Sequence, residues 1–503
     1  MQGWTVHRMR KLVVLVGLGV ALAIALPNGT GATSIDEVEK LLSSDAQPDD
    51  FFGKSVAVSG DTAVVGASGE DAGGSFAGAA YIVQRDEGGA GNWGEVNKLL
   101  ASDAQAGDNF GESVAVSGDA AVVGAYLEDA GGGQAGAAYV FESDRGGADN
   151  WGEVEKLTAS DAQAGDWFGF SVAASGDTTV VGAQGEAAGG EFAGAAYVFD
   201  RDQGGAANWG EVKKLTASDA QAGDFFGFSV AVSGDIAVAG ASGEDAGGTD
   251  AGAAYVFQRN EGGASNWGEV TELVASDARA GDQFGVSVAV SGDTVVVGAY
   301  LADNGGAAYV FQRNEGGADN WGEVKKLLAS DAQAGDQFGV SVAVSGDTAV
   351  AGADAGGGQT GVAYLFQRKE GGVDNWGEVK KLTASDAQVG DFFGFSVAVS
   401  GDTVVAGAAG EDAEGSNAGA AYVFDRGAGP PVPNPPQDVL GDSNCDGIVN
   451  AIDAAFILQF SAGLLRSLPC GENSDVNGDG VTNPLDAALI LQLAAGLLDS
   501  LPA

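Results

Sequence analysis

Two short stretches near the C-terminus hold the side chains best suited to chemistry. Residues 442–453 place Asp442, Asn444, Asp446, Asn450 and Asp453 at positions 1, 3, 5, 9 and 12 of a twelve-residue loop, with Gly447 at position 6 and the Ile448 carbonyl at 7. Residues 475–486 repeat this 33 residues later with Asp475, Asn477, Asp479, Asn483 and Asp486, Gly480 and the Val481 carbonyl. An all-oxygen set at this spacing suits a hard cation that takes roughly six to eight oxygens, which points to one calcium ion in each loop. Without a cation, like charges about 4 Å apart cost roughly 1 to 4 kcal/mol per pair. Metal binding and folding are therefore expected to be coupled here.

Other chemistry is disfavoured by what the chain lacks. Its single histidine is His7, inside a predicted export signal, so the mature chain is expected to carry none. That argues against Ser-His-Asp and Cys-His nucleophilic sites and His-ligated zinc, and leaves carboxylates for any conventional hydrolysis. A formal net charge of −47 makes nucleic acid and anionic membranes poor partners and cations natural ones. Asp45, Asp50 and Asp61 recur in register down to Asp386, Asp391 and Asp402, and read as a solvated, self-repelling surface.

The chain opens with Arg8, Arg10 and Lys11, an apolar run over residues 12–26, and small residues at Ala23 and Ala25. This predicts an export signal over residues 1–32, cut after Ala25 or Ala32. The run is shorter than the roughly 20 residues of a membrane span. A secreted or cell-surface protein follows, with no membrane span after cleavage. In an oxidising compartment the two cysteines, Cys445 and Cys470, are expected to form one disulfide.

The elements that must position the loops are set by a repeat. Phe-Gly recurs at Phe52, Phe110, Phe168, Phe226, Phe284, Phe338 and Phe393, in steps of 58, 58, 58, 58, 54 and 55. In the second copy four strands are predicted at 112–117, 120–125, 137–142 and 151–159, with a two-residue corner between the first two. Four strands cannot bury both faces alone, so the units must stack, and seven of them suit a closed β-propeller. The last copy has only three strands, while residues 35–42 at the other end resemble the fourth-strand sequence at 376–382. The fold class is thus all-β: a seven-bladed β-propeller over residues 33–426, closed by an N-terminal strand that leaves no open sheet edge. Residues 427–437, rich in Pro and Gly, read as a linker, and 438–503 as a small helical calcium-binding module.

Variation between copies marks the face on which function is expected. The link between second and third strands is long in the first copy and short in the fifth and sixth, at 300–306 and 354–361. Loops on a rigid scaffold commonly build binding surfaces. Glu70-Asp71, Glu128-Asp129, Glu244-Asp245 and Glu411-Asp412 occupy these links, but such repetition argues against a single catalytic pair. Trp93, Trp151, Trp209, Trp267, Trp321 and Trp376 share one register and read as blade packing; Trp167 falls outside it and is the candidate for an exposed contact.

The repeated Phe-Gly, with Gly66-Ala67 and Gly78 to Tyr81, resembles the FG-GAP repeat of integrin alpha-chain propellers and of many secreted bacterial proteins. The calcium loop that such blades often carry between their first strands has no counterpart at Ser59-Gly60-Asp61-Thr62. The tandem loop-then-helix module, with Asp at position 12, resembles a type I dockerin. That resemblance implies docking to a cohesin-like protein through loop positions 10 and 11, which fall on Ala451-Ile452 and Pro484-Leu485, apolar where well-known dockerins carry Ser-Thr type pairs. Of the apolar helices that follow, Ile457, Leu458, Ile490 and Leu491 are expected in the core. These features favour an exported, non-catalytic binding or scaffolding protein whose propeller faces an extracellular protein or glycan. The alternative is a dockerin-tethered carbohydrate-active enzyme, which would need two unrepeated carboxylates about 5 to 9.5 Å apart.

Overall fold

Strand alternation and tight corners build each blade. In the first, Ser55–Ser59 and Thr62–Ala67 form an antiparallel hairpin across the turn Gly60-Asp61, with Ser59 opposite Thr62. Ala79–Arg85 pairs with the second strand and Trp93–Leu99 with the third. The computed structural model contains seven such four-stranded sheets. It describes residues 35–426 except 88, 90, 146–149, 204, 206, 207, 264, 265, 316, 318 and 370–374. Beyond 426 it describes 449, 454, 457, 458, 460, 461, 474, 476, 477, 481–494 and 498. The predicted signal and linker lie outside the described residues. Among the described residues no helix is long and apolar enough to cross a membrane.

The seventh blade is assembled from both ends of the propeller. Ile35–Leu41 pairs with Ala420–Arg426, outside Thr403–Ala408 and Ser396–Ser400. Its register matches the other fourth strands: Ile35 faces Arg426 as Trp93 faces Arg85, and the bulge that skips Val96 recurs at Val38. The backbone N–H and Oγ of Ser385 donate to Glu37, each at 2.8 Å, as those of Ser44 donate to Glu95 at 2.9 Å. The expected closure is present.

Neighbouring blades are joined by seven apolar clusters. One unites Leu41, Val405 and Val423 with Phe52 and Val65, sealing the last blade to the first. The Phe-Gly pair does the joining. Phe110 is fully buried, edge-on to Tyr139 at 5.5 Å, and its backbone bridges to Gly78 of the preceding blade. Gly111 follows with φ +91°, and a Cβ there would lie 2.1 Å from the Ala79 carbonyl oxygen, so only glycine permits this approach. Around the channel, Ser55 Oγ donates to the Gly111 carbonyl at 2.8 Å, and the same bond recurs in every blade.

Trp93, Trp151, Trp209, Trp267 and Trp376 are buried between blades, as their register implied. The acidic reading holds for Asp45 and Asp61, which are exposed, and needs correction for Asp50. Asp50 is buried, its Oδ2 accepting the Gln47 N–H at 2.7 Å, and Asp61 pairs with Arg85 at 2.9 Å. Of these repeated acids Asp50 is part of the buried framework, while Asp61 is a surface group paired with an arginine.

In the C-terminal module, the helix Pro484–Ala494 and helical residues 454, 457, 458, 460 and 461 bring Ala454, Ile457, Val476, Ala487 and Ile490 into one core. Leu458 and Leu491 were expected in it but are 43% and 42% exposed. Each follows a core isoleucine by one residue, about 100° around the helix, and so leaves the buried stripe.

Candidate functional site

The repeat is least regular at the mouth of the ring where the Phe-Gly turns lie. Each Phe-Gly is preceded by a residue in the left-handed region: Phe51, Asn109, Trp167, Phe225, Gln283, Gln337 and Phe392. Aromatic side chains seldom adopt such backbone, yet four of these seven are aromatic. Trp167 is half-buried rather than a free contact, because its ring packs on Phe192 at 5.6 Å, which in turn meets Phe225 at 5.8 Å.

Across blades 6, 7, 1 and 2 the rim encloses a cavity of about 430 Å³. Phe51, Phe76, Tyr126, Phe392 and Phe395 line it, with Phe76 and Phe392 46% and 44% exposed. Lys54 lies 4.5 Å over the Phe395 ring and 3.4 Å from Glu112. Asp354 closes one side: it is buried, its Oδ1 meets no donor, and burial pushes its carboxyl above the usual range. Asp354 begins the shortened sixth-blade link, which turns through the single helical turn Gly356–Gln359. Aromatic faces beside a few fixed polar groups suit a ligand with both apolar faces and polar edges.

A second constellation repeats around the ring and was not foreseen. In blade 1 the Lys98 ammonium lies 2.6 Å from Asp45 and 2.7 Å from Glu70, while Tyr81 donates its phenol to Asp45 at 2.8 Å. Glu70 is buried, as are Glu128, Glu244 and Glu411, so the link glutamates are structural anchors, while Asp71, Asp129, Asp245 and Asp412 beside them are exposed. Burial alone would raise the Asp45 carboxyl; Lys98 and Tyr81 outweigh it and hold the group below its usual range. Lys156, Lys214 and Lys40 make the same clamp in blades 2, 3 and 7. Lys326 and Lys381 clamp Asp277 and Asp331 in blades 5 and 6. In blade 4 this position is Glu272, beside Asp219 and Glu244, and burial followed by the charges of Asp219, Glu244 and Glu269 pushes its carboxyl up to about 7. Comparing the fourth strands, Lys-Leu everywhere but Glu272-Leu273 in one, would have exposed it.

The second acidic loop is closed around its last carboxylate. Asp486 is fully buried; its Oδ1 accepts the N–H groups of Val476 at 3.0 Å and Asn477 at 3.3 Å, and its Oδ2 that of Asn483 at 2.8 Å. Asn483 Oδ1 accepts the Leu485 N–H at 2.8 Å and so caps the helix, with Pro484 as its first residue. Asn483 Nδ2 donates to the Val481 carbonyl at 2.8 Å. A carboxylate withdrawn from water at the foot of an oxygen-rich loop fits a calcium ligand, since such burial is costly without counter-charge. Pro484 and Leu485 are exposed beside it, Leu485 by 55%. Asp442, Asn444, Asp446, Ile448, Asn450, Ala451, Ile452, Asp453, Asp475, Asp479, Cys445 and Cys470 lie outside the described residues.

Residues 35–83, 93–141, 151–199, 209–257, 267–311, 321–366 and 376–424 each match the FG-GAP repeat model. The chain belongs to the FG-GAP repeat family. Residues 440–493 of this FG-GAP protein match the dockerin type I domain, a calcium-binding module that implies a cohesin-type partner and is typical of extracellular proteins. Among solved structures the FG-GAP chain is similar to Sqt1 from Chaetomium thermophilum, at 14% identity over 75% of this chain and 83% of that one, with a TM-score of 0.43. It is also similar to a candidate 6-phosphogluconolactonase from Bacteroides uniformis, at 12% identity over 68% and 88% of the two chains, with a TM-score of 0.44. No curated protein matches.

Proposed function

We propose that this is an exported, non-catalytic display protein, in which the propeller presents a recognition pocket and the dockerin module fixes it to a cohesin-bearing partner. The module holds two calcium ions, one on Asp442, Asn444, Asp446, Ile448, Asn450 and Asp453 and one on Asp475, Asn477, Asp479, Val481, Asn483 and Asp486. Ala451, Ile452, Pro484 and Leu485 meet the cohesin, and a Cys445–Cys470 disulfide ties the two halves. Exposure of Pro484 and Leu485 beside a buried Asp486 supports the docking part.

The observation that carries the display part is the aromatic cavity at the mouth, because a near-identical repeat becomes asymmetric there. Its polar groups sit among aromatic faces, a composition suited to the edge of a glycan or a protein loop. The test is binding of the full chain to glycan arrays and extracellular proteins, compared with Phe51→Ala and Phe392→Ala. A ligand retained by the native chain and lost by both variants, with unchanged melting, is expected. Equal binding by all three, or polysaccharide hydrolysis by the native chain, would overturn the reading.

A further inference from the structure

We propose that Asp219, Glu244 and Glu272 form a calcium site in blade 4, in the place that a lysine ammonium fills in the other six blades. Among the described residues this is the one group of three acids whose ligand oxygens converge, all within 4.8 Å of one another. Two oxygens bound to one calcium at about 2.5 Å can be at most about 5 Å apart, so the spacing admits a shared ion.

The sister blades show what the two shared carboxylates do. Asp45 and Glu70, Asp103 and Glu128, Asp161 and Glu186, and Asp386 and Glu411 each grip a lysine Nζ at 2.6 to 2.9 Å. Blade 4 keeps this frame. Tyr255 donates to Asp219 Oδ1 at 2.9 Å as Tyr81 does to Asp45, and the Ala246 N–H donates to Glu244 Oε2 at 2.6 Å as Ala72 does to Glu70. What changes is the cation: the strand residue that should supply it is Glu272.

Independent of that comparison, the polar groups of blade 4 are incomplete. Glu244 is only 3% exposed, and among the described residues no lysine or arginine pairs with it as one pairs with Glu70, Glu128, Glu186 and Glu411. Glu272 Oε1 is buried and meets no donor. Two carboxylates and an ammonium carry one net negative charge, whereas three carboxylates carry three; a divalent cation returns blade 4 to the value of its sisters. The donors are all hard oxygens, which selects calcium over softer metals, and the exposed Asp219 leaves a side open for entry and for water ligands. The site lies far along the chain from the dockerin loops and does not depend on how many ions those loops hold.

The test uses the full mature chain, stripped with chelator, and counts calcium by equilibrium dialysis beside Glu272→Lys and Glu272→Gln. The native chain should bind one more ion than either variant. Every tryptophan after Trp4 lies between residues 93 and 376, so tryptophan emission follows the propeller alone. Millimolar calcium chloride should raise the native melting transition seen by emission and leave that of Glu272→Lys unmoved, with magnesium chloride weaker by tenfold or more. Equal ion counts, or a native transition that calcium does not shift, would overturn the site and mean that Glu272 is kept by protonation. If both variants fail to fold, the native calcium shift decides alone.

Discussion

The propeller and the C-terminal module both crowd carboxylates, and they differ in where the counter-charge comes from. In six blades a lysine on the same sheet reaches into the acids, and arginines such as Arg85 bridge to the next blade, at 2.6 Å from Asp425. In residues 438–503 nine acidic side chains share one basic residue, Arg466. A covalently attached cation is always present, whereas a free one can be withdrawn. Six of the seven blades thereby carry their own counter-charge, and under the proposed function the tether does not.

The comparison can be broken most severely by deleting residues 35–41. That removes a fourth strand, and with it Lys40 and Glu37, leaving the buried Glu411 without its counter-charge and the Ser385 turn without its carboxylate. The propeller should lose its cooperative melting transition or aggregate through the opened edge; native-like melting would show that the closing strand is dispensable. Calcium removal should act on the other region. Chelator is expected to abolish the helical signal of Pro484–Ala494 while tryptophan emission still reports a folded propeller. Simultaneous loss of both signals would erase the distinction.

Smaller effects sharpen it. Lys156→Met leaves Glu128 buried and unpaired and should destabilise the propeller by about 3 kcal/mol at neutral pH, measured by denaturant melting. Burial alone would raise the Asp103 carboxyl, yet Lys156 and Tyr139 hold it below 3.8. Its contribution is therefore present above pH 3.8 and fades as pH falls through the lower folded value, so native and variant curves should converge only in strong acid. An unchanged gap there would assign the loss to packing. Smallest is Leu485→Asp, which should weaken cohesin binding at least tenfold with little change in melting; undiminished affinity would place the docking face elsewhere.

Much of this was legible in the residues. The Phe-Gly spacing gave seven blades, the orphan strand at 35–42 gave the closure, and the oxygen pattern of 475–486 gave the loop that Asp486 closes. What was not legible depends on distance in space. Asp45, Glu70 and Lys98 are separated by 25 and 28 residues and meet only when the blade folds, so no single stretch of sequence shows the clamp. Asn483 read as a ligand alone because its capping bond to Leu485 appears only with the helix in place. The mouth cavity, likewise, needs Phe51 and Phe392 from opposite ends of the chain to become neighbours.

The most direct measurement is capture from the extracellular fraction of the source organism with the full mature chain as bait, in calcium and then in chelator, beside a bait carrying Asp453→Ala and Asp486→Ala. The account predicts that a cohesin-bearing protein is retained in calcium by the native bait, is released by chelator, and is absent from the altered bait. Retention of the same protein in chelator, or by the altered bait, would contradict it.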